Sequence, residues 1–596
     1  MNLDHRSRHS LGQHVCRVLA AGVFIVATSC TTQEARLGHG NKSPLYAAEA
    51  RSDFGMVSSG SIEATRAGVA ILEQGGNAID AAVATALALG VSDPGGSGLG
   101  GMTYMLISFA DGGAVAIDGS TPAPFAADPQ KLLALKEAEE PYGYAAVSVP
   151  TTLASLDLAR ERYGTMELSR LLAPAIEIAG NGYRLSPNSI AWARGYLDEI
   201  LASEYMRFLV LDEGVRLGQP GQVFCRPDLR NTYRQIAAHG TDIFYRGPIA
   251  DRIAADMAEN GGFVRKGDLA LYRPVEKQPI RARYRDSEII AYPPPGGGPE
   301  VIAALKILES FPSTALAEPT VERLHLLVEA YRIANADNQS SVMGTGQFPI
   351  GSLDFLSEEH IRKRAALVTP GRAIPESELQ VSAGVSVMGD FTTHLSVADR
   401  HGNVVSMTQT LCRQYGSKVA TPGLGFVYNS CLGFLDFENP QSPYYLRPRA
   451  RYTTTMSPTI VLHAGSIIVL GSAGSDRIPP SVTEVISNLV DRKMTPRDAV
   501  VAPRVLWNTA HDPHRVCLEI ATPITAADGD ELQRYGFEHM YRLQYPPDPV
   551  SDSAFFGGVN LAAYDARTGQ FFGVGDPRRN GYALGPRTAA MSGDVN

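Results

Sequence analysis

Thr392 and Thr410 are the residues of this 596-residue chain best placed to do chemistry together. They lie in Phe391-Thr392-Thr393-His394-Leu395-Ser396-Val397-Ala398-Asp399 and in Asn403 to Leu411, with Arg400-His401-Gly402 between. Leu395, Val397, Val405, Met407 and Leu411 take odd positions, and Thr392, His394, Ser396, Ser406, Thr408 and Thr410 take even ones, the period-2 pattern of a sheet with one apolar face. A three-residue loop ending in glycine is a favoured hairpin connection. With that loop Asp399 faces Asn403, and counting back sets Thr392 across from Thr410. Opposed residues have Cβ atoms about 4.5–5.5 Å apart, within hydroxyl hydrogen-bonding reach. By itself the hairpin is better read as an ordinary polar strand face carrying cross-strand threonine pairs, and what surrounds it decides the matter.

The rest of the composition narrows the field. A net charge of −9 with no basic cluster argues against nucleic acid or an anionic membrane surface as partner. Length, 44% hydrophobic residues and 19% charged ones fit a globular protein with a large core. Six cysteines (Cys16, Cys30, Cys225, Cys412, Cys431, Cys517) show no metal-type spacing. After export they could pair or stay as buried thiols, and buried small hydrophobes are the default expectation. No metal cluster or cofactor motif is visible, so no cofactor is expected.

Residues 1–30 read as an export signal: Arg6, Arg8 and Arg17, the apolar run Val18 to Ala27, then Thr28-Ser29-Cys30. The apolar run is too short for a permanent membrane span. Cys30 after small residues resembles a bacterial lipobox, with Ala27 where leucine is usual, and ordinary signal cleavage nearby is the alternative. The expectation is an envelope protein on the periplasmic side, held to the membrane only by a lipid on Cys30.

A tether is expected over 31–50. Helices are expected over Ser61 to Gly75 and, capped by Asn77, over Ala78 to Val91, whose alanine-rich run must be buried. Asp93-Pro94-Gly95-Gly96-Ser97-Gly98-Leu99-Gly100-Gly101 lacks the residues of a phosphate loop or a nucleophile elbow and reads as a tight loop with close backbone packing. Strands follow at Met102 to Ser108 and Ala114 to Asp118. A mostly helical stretch, Thr151 to Arg285, carries strand-like segments near its end and at Glu288 to Tyr292. Helices are expected at Glu300 to Leu308 and Val321 to Ala336. Ser340 to Gly384 reads as irregular and polar. After the hairpin come strands at Gly425 to Tyr428, Thr459 to Leu462 and Ile467 to Leu470, a helix at Ser481 to Asp491, and strands at Val559 to Ala563 and Phe571 to Gly575. Strands in the first and last thirds with helices between predict one layered α/β body closed by distant segments.

Laid out in this order, the chain resembles the γ-glutamyltranspeptidase family of N-terminal-nucleophile hydrolases from about Met56 to Arg578. The blocks that carry the likeness include Glu73-Gln74-Gly75-Gly76-Asn77-Ala78-Ile79-Asp80, Tyr163-Gly164-Thr165, Ile243-Phe244-Tyr245-Arg246-Gly247, Pro293-Pro294-Pro295 and His325-Leu326-Leu327-Val328-Glu329-Ala330. Thr392-Thr393-His394, Thr455-Met456-Ser457-Pro458-Thr459 and Gly575-Asp576-Pro577-Arg578 complete them. The resemblance implies a four-layer αββα sandwich (α/β, α+β) and a precursor that cuts itself between Phe391 and Thr392. It thereby divides into a large segment, 51–391, and a small one, 392–596, that stay together as a heterodimer in one domain.

The resemblance also implies roles. A threonine hydroxyl is a weak nucleophile without a base, and the α-amine freed at Thr392, titrating near pH 7.7–8.0, can be that base. Thr410 would orient the Thr392 hydroxyl, Gly474 and Ser475 would supply oxyanion amides, and Thr454 and Thr455 match a Ser-Ser pair that holds the substrate carboxylate. His394 is expected to be structural. The departures concern substrate recognition. Ser120 stands where the family has the arginine that grips the α-carboxylate, and serine cannot replace a bidentate cation. Cys412 replaces an asparagine, and Phe434 the aspartate that binds the α-ammonium, although a two-residue slip would bring in Asp436. The segment from there to Thr454 is short for a lid loop.

The expected function is a self-processing exported amidohydrolase acting through a threonine ester on a γ-glutamyl-like or other small acyl amide, with Phe434 and Cys412 lining a more apolar pocket. One alternative is a true γ-glutamyltranspeptidase or glutathione hydrolase with rewired contacts, its carboxylate grip supplied by Arg413 or Arg451, both otherwise read as solvated cations. The other is an unprocessed envelope lipoprotein that acts as a binding module.

Overall fold

Two seven-stranded sheets lie face to face, each covered on its outer side by helices. The computed structural model describes residues 48–139, 141–341, 353–379, 391–451, 453–507, 515–519, 522–542 and 556–587. The signal segment, Cys30 and most of the tether lie outside them. The tether was expected to run through residue 50, but a strand already begins at Ala48.

The first sheet is built from β1 (Ala48–Ser52), β6 (Ile280–Tyr284), β7 (Ser287–Ala291), β10 (Thr459–His463), β11 (Ser466–Ala473), β12 (Gly558–Asp565) and β13 (Gln570–Gly575), in the order β1-β13-β12-β11-β10-β7-β6. The second takes β2 (Gly55–Ser59), β3 (Met102–Ser108), β4 (Ala114–Gly119), β5 (Val275–Lys277), β8 (Phe391–Asp399), β9 (Val404–Cys412) and β14 (Tyr582–Leu584), in the order β14-β2-β8-β9-β3-β4-β5. Strands from both ends of the chain therefore share each sheet, as the layered reading expected.

The helices follow from the same logic. α1 (Ile62–Glu73) starts where the Ser61 hydroxyl accepts the Ala64 N–H, and α2 (Ala78–Ser92) starts at a capping box between Asn77 and Asp80. Every residue of α2 is buried, which is why alanine dominates it. Both pack with Leu395, Val397, Val405 and Met407 in one apolar cluster on the outer face of the second sheet. On the other side, α3 (Gly298–Glu309), α4 (Val321–Ser341) and α5 (Ile478–Val490) cover the first sheet with a second cluster. The four layers are thus helix, sheet, sheet, helix.

Some expectations are corrected. Gly425 to Tyr428 is not a strand; only an isolated bridge joins Tyr428 to Gly100, where a Cβ on Gly100 would lie 2.1 Å from the Val427 carbonyl. Within Ser340 to Gly384 a helix, Glu358–Ala365, is formed. Its single buried face of Ile361, Arg364 and Ala365 is too small to leave an apolar period in the sequence. A three-stranded sheet of Val505–Trp507, Arg515–Glu519 and Glu538–Arg542 adds to the expected elements.

Candidate active site

The hairpin has the register expected: Thr392 pairs with Thr410, His394 with Thr408 and Ser396 with Ser406, and Asp399 N–H donates to Asn403 O. Its polar face is not solvent-facing, however. All nine residues of each strand are buried, and the even residues face the other sheet. Buried hydroxyls need partners, and here they find backbone of the opposite layer. Ser396 Oγ donates to Asn560 O at 3.0 Å and Ser406 Oγ to Leu470 O at 2.9 Å. His394 bonds Thr408 Oγ1 at 2.8 Å and Ser396 Oγ at 3.1 Å, and burial pushes its imidazole down to about 3, so it stays neutral. That agrees with a structural His394.

At the start of β8 the ladder slips by one residue between Phe391 and Thr392, so Phe391 pairs with Cys412 while Thr392 pairs with Thr410. A bulge of this kind re-aims the chain. The Thr410 hydroxyl donates to the Phe391 carbonyl at 2.6 Å and accepts the Cys412 N–H at 2.8 Å. Thr410 therefore holds the carbonyl of the 391–392 peptide bond. The direct Thr410–Thr392 hydroxyl contact expected from the pairing is not what the geometry shows.

Thr392 borders a cavity of about 420 Å³ that it shares with Ser61, Asp93, Trp192, Asn560 and Arg579. Burial pushes the Asp93 carboxyl up to about 6, against the opposing pull of the Thr393 hydroxyl and Arg579. The Phe391 ring packs edge-on against Trp192, with centroids 4.7 Å apart, and beneath the Arg579 guanidinium at 5.2 Å. Arg579 also lies against Gly474, 3.4 Å from where a Cβ would stand. Gly474 and Ser475 both have positive φ, 129° and 58°. The Ser475 value is costly for a side-chain-bearing residue. The turn is held by Thr455 Oγ1 donating to Ser475 O at 2.9 Å. Thr454 is engaged locally, its hydroxyl accepting the Met456 N–H at 3.2 Å and its N–H donating to Pro295 O.

The departures take on a different meaning in three dimensions. Cys412 and Cys431 form a disulfide, so the default of buried thiols is corrected for this pair, and Cys412 cannot line a pocket as a free thiol. The bond ties the strand opposite Thr392 to the short helix Cys431–Phe434. Phe434 lies under Arg413 at 5.4 Å and belongs to the core beneath the first sheet's helices. Asp436 anchors a turn, accepting the N–H groups of Glu438 and Asn439.

Ser120 is buried just past β4, and Arg451 donates to its hydroxyl at 2.8 Å. Arg451 also lies 3.7 Å from Asp118 Oδ2, which Lys277 meets at 2.6 Å, while Asp118 Oδ1 accepts the Ser120 N–H at 2.8 Å. Burial alone would raise the Asp118 carboxyl, but Lys277 and Arg451 hold it below its ordinary value. The reading of Arg451 as a solvated cation is therefore corrected. Thr410 pairs with Met102 and Thr103 with Gly119, so the row from Thr392 continues to Ser120 on one sheet face, about 14 Å across three strand spacings. Trp192, Asp93 and Arg579 were missed because they come from a helix, a loop and the chain end with no shared spacing. The Gly575-Asp576-Pro577-Arg578 block is partly structural: Arg578, Asp576, Arg504 and Glu519 form a buried ion network.

Comparison with known proteins adds the identity. The family model described as Gamma-glutamyltranspeptidase matches residues 64–585. A glutathione hydrolase proenzyme of Pseudomonas sp. (strain A14) is 32% identical over 555 residues, covering 90% of this chain and 94% of that protein. The Acylase ACY 1 proenzyme of Pseudomonas sp. (strain SE83) is 34% identical over 463 residues, covering 76% and 82%. Among solved structures, the cephalosporin acylase from Bacillus halodurans superposes with a TM-score of 0.80 at 28% identity, covering 92% of this chain and 99% of that one. The four layers are the fold of N-terminal-nucleophile hydrolases, and the chain belongs to the γ-glutamyltranspeptidase family of amide hydrolases and acyltransferases.

Proposed function

We propose that the protein is a self-processing, exported amidohydrolase with Thr392 as its nucleophile. The observation that carries this is the Thr410 hydroxyl on the Phe391 carbonyl, at a bulge that sets Thr392 apart from its neighbour. The Thr392 hydroxyl attacks the Phe391 carbonyl carbon, the C–N bond breaks and the hydroxyl proton ends on the nitrogen. Phe391 is then held as an ester on Thr392 Oγ until water releases it as a carboxylate. The freed α-amine serves as base for the same hydroxyl in later cycles, when an amide substrate acylates Thr392 and water or an amine removes the acyl group. The Gly474–Ser475 turn lies against Arg579, which borders the same cavity as Thr392, and is assigned the oxyanion role on the family resemblance. The two fragments stay together because β2 of the large segment pairs with β8 of the small one. The basic and apolar start of the chain supports export, with Cys30 as lipid site. On a denaturing gel the protein should run as fragments of about 39 and 22 kDa, scaled from residue counts. A Thr392→Ala chain should stay whole and inactive; splitting or turnover by that variant refutes the assignment.

A second reading, a carboxylate-bearing substrate of the γ-glutamyl class, is favoured by Arg451. Two cations, Lys277 and Arg451, surround one buried carboxylate, Asp118, which leaves one positive charge on the sheet face of Thr392. Arg451→Ala should then raise KM for a γ-glutamyl anilide and spare a neutral acyl anilide; equal effects on both would dismiss it.

A further inference from the structure

The chain carries two tryptophans, and one of them, Trp192, holds the ring of Phe391, the residue that cleavage would leave as the C-terminus of the large segment. Trp192, Phe391 and Arg579 are 6%, 9% and 9% exposed, so the Phe391 ring fills a closed slot between an indole edge and a guanidinium. The slot opens on the cavity that Thr392 borders. If Thr392 is the nucleophile, as proposed above, Phe391 is the first acyl group it ever carries. Self-processing and turnover pass through the same bond, an ester of an acyl carbon with Thr392 Oγ, and both end when water adds to that carbon and returns the proton to the hydroxyl. A site shaped around the acyl residue of the first ester is therefore available to the acyl residue of every later one.

We propose that the Trp192–Arg579 slot is the acyl-side recognition site of the processed protein, and that it takes amides whose acyl group ends in an aromatic ring on a short arm, such as phenylacetyl or 3-phenylpropanoyl. Once the freed Phe391 end of the large segment swings out of it, as this proposal requires, the slot presents an indole edge and a guanidinium face, the two groups with a geometric preference for an aromatic ring over an alkyl chain. It lies toward β2 and β14, since Ser61 and Tyr582 border the same cavity. The Ser120–Arg451 wall lies on the opposite flank, toward β4. An amide lying across Thr392 meets the two surfaces with its two halves.

The test uses purified, processed full-length protein and the p-nitroanilides of phenylacetic, 3-phenylpropanoic, acetic, butanoic and γ-glutamic acids. The arylacyl anilides should exceed the butanoyl anilide in kcat/KM by roughly tenfold or more. That ratio should collapse toward one in Trp192→Ala and largely survive in Trp192→Phe, and phenylacetate should compete better than butanoate in the unmodified protein. Equal rates with and without a ring, a preference for γ-glutamyl, or a Trp192→Ala variant with an unchanged ratio overturns the proposal. If Trp192→Ala does not accumulate, the substrate ratios, the phenylacetate competition and Trp192→Phe decide it. A protein that splits and turns over with Thr392 dependence but shows no aromatic preference refutes the slot alone. One that never splits, or hydrolyses without Thr392, refutes the nucleophile assignment and the slot with it.

Discussion

Replacing Thr410 with valine keeps the shape of the side chain and removes one oxygen atom. That oxygen makes two contacts beside the 391–392 peptide bond: it donates to Phe391 O at 2.6 Å and accepts from Cys412 N at 2.8 Å. On the proposed mechanism, the first contact polarises the carbonyl that would become an oxyanion when Thr392 attacks. Loss of one such donor costs about 10²–10³ in rate. The second satisfies a buried N–H, and orphaning it costs about 1–3 kcal/mol of stability. The expectation is two separable effects. Splitting of the 63.9 kDa chain, followed on denaturing gels over time, should slow by two to three orders of magnitude, about 10²–10³. The denaturation midpoint should fall by an amount matching the lost N–H partner. Thr410→Ser, which keeps the oxygen, should process far faster than Thr410→Val. Splitting at the normal rate in Thr410→Val, together with the expected loss of stability, would show that the hydroxyl serves only the fold, and the account of cleavage given above would fall.

Other perturbations read out different parts of the site. Cys431→Ser opens the Cys412–Cys431 bridge, which closes a separation of 19 residues, and should cost about 3 kcal/mol by loop-closure entropy; thiol titration of unfolded, unreduced protein should find Cys412 and Cys431 unreactive. Burial raises the Glu300 carboxyl to about 8 despite the amide donors of Asn335 and Asn338. Because its folded value lies above its unfolded one, its contribution to stability is whole below about pH 4.5 and is lost as pH rises toward 8. Glu300→Gln should flatten that slope and gain a few kcal/mol at pH 8, and an unchanged slope in chemical denaturation would contradict it. Gly471→Ala would place a Cβ 2.3 Å from the His394 ring, backbone against a ring fixed by Thr408 and Ser396. It should destabilise the protein by more than about 1–3 kcal/mol, the usual cost of overpacking.

The hairpin was legible because a period of two and a glycine-ended loop leave one register, and that register alone paired Thr392 with Thr410. The layer its polar face belongs to was not legible. Alternation reports which residues are polar, not whether water or another sheet satisfies them, and here Leu470 O and Asn560 O do. The capped helices α1 and α2 were readable from Ser61 and Asn77, since a cap is a local hydrogen bond. The disulfide was not, because Cys412 and Cys431 meet only after a strand end and a short helix are placed. Arg451 failed for the same reason. Its partners Asp118 and Ser120 are adjacent in space and some 330 residues away in sequence, with Arg451 to Ser120 spanning 331 positions.

Ser120 and Arg451 therefore form a pair whose members should not be altered independently. Serine at position 120 leaves room for the Arg451 guanidinium, which reaches the hydroxyl at 2.8 Å while Lys277 already neutralises Asp118. Ser120→Arg would bring a third cation to one carboxylate in a buried row, and an uncompensated buried charge costs about 3–5 kcal/mol. The single variant should lose stability and accumulate poorly. Arg451→Ser in the same chain returns the count to two cations around Asp118 and should recover most of the loss, so the two changes should be strongly non-additive in a double-mutant cycle. Additive losses would mean that Arg451 and residue 120 do not share a site.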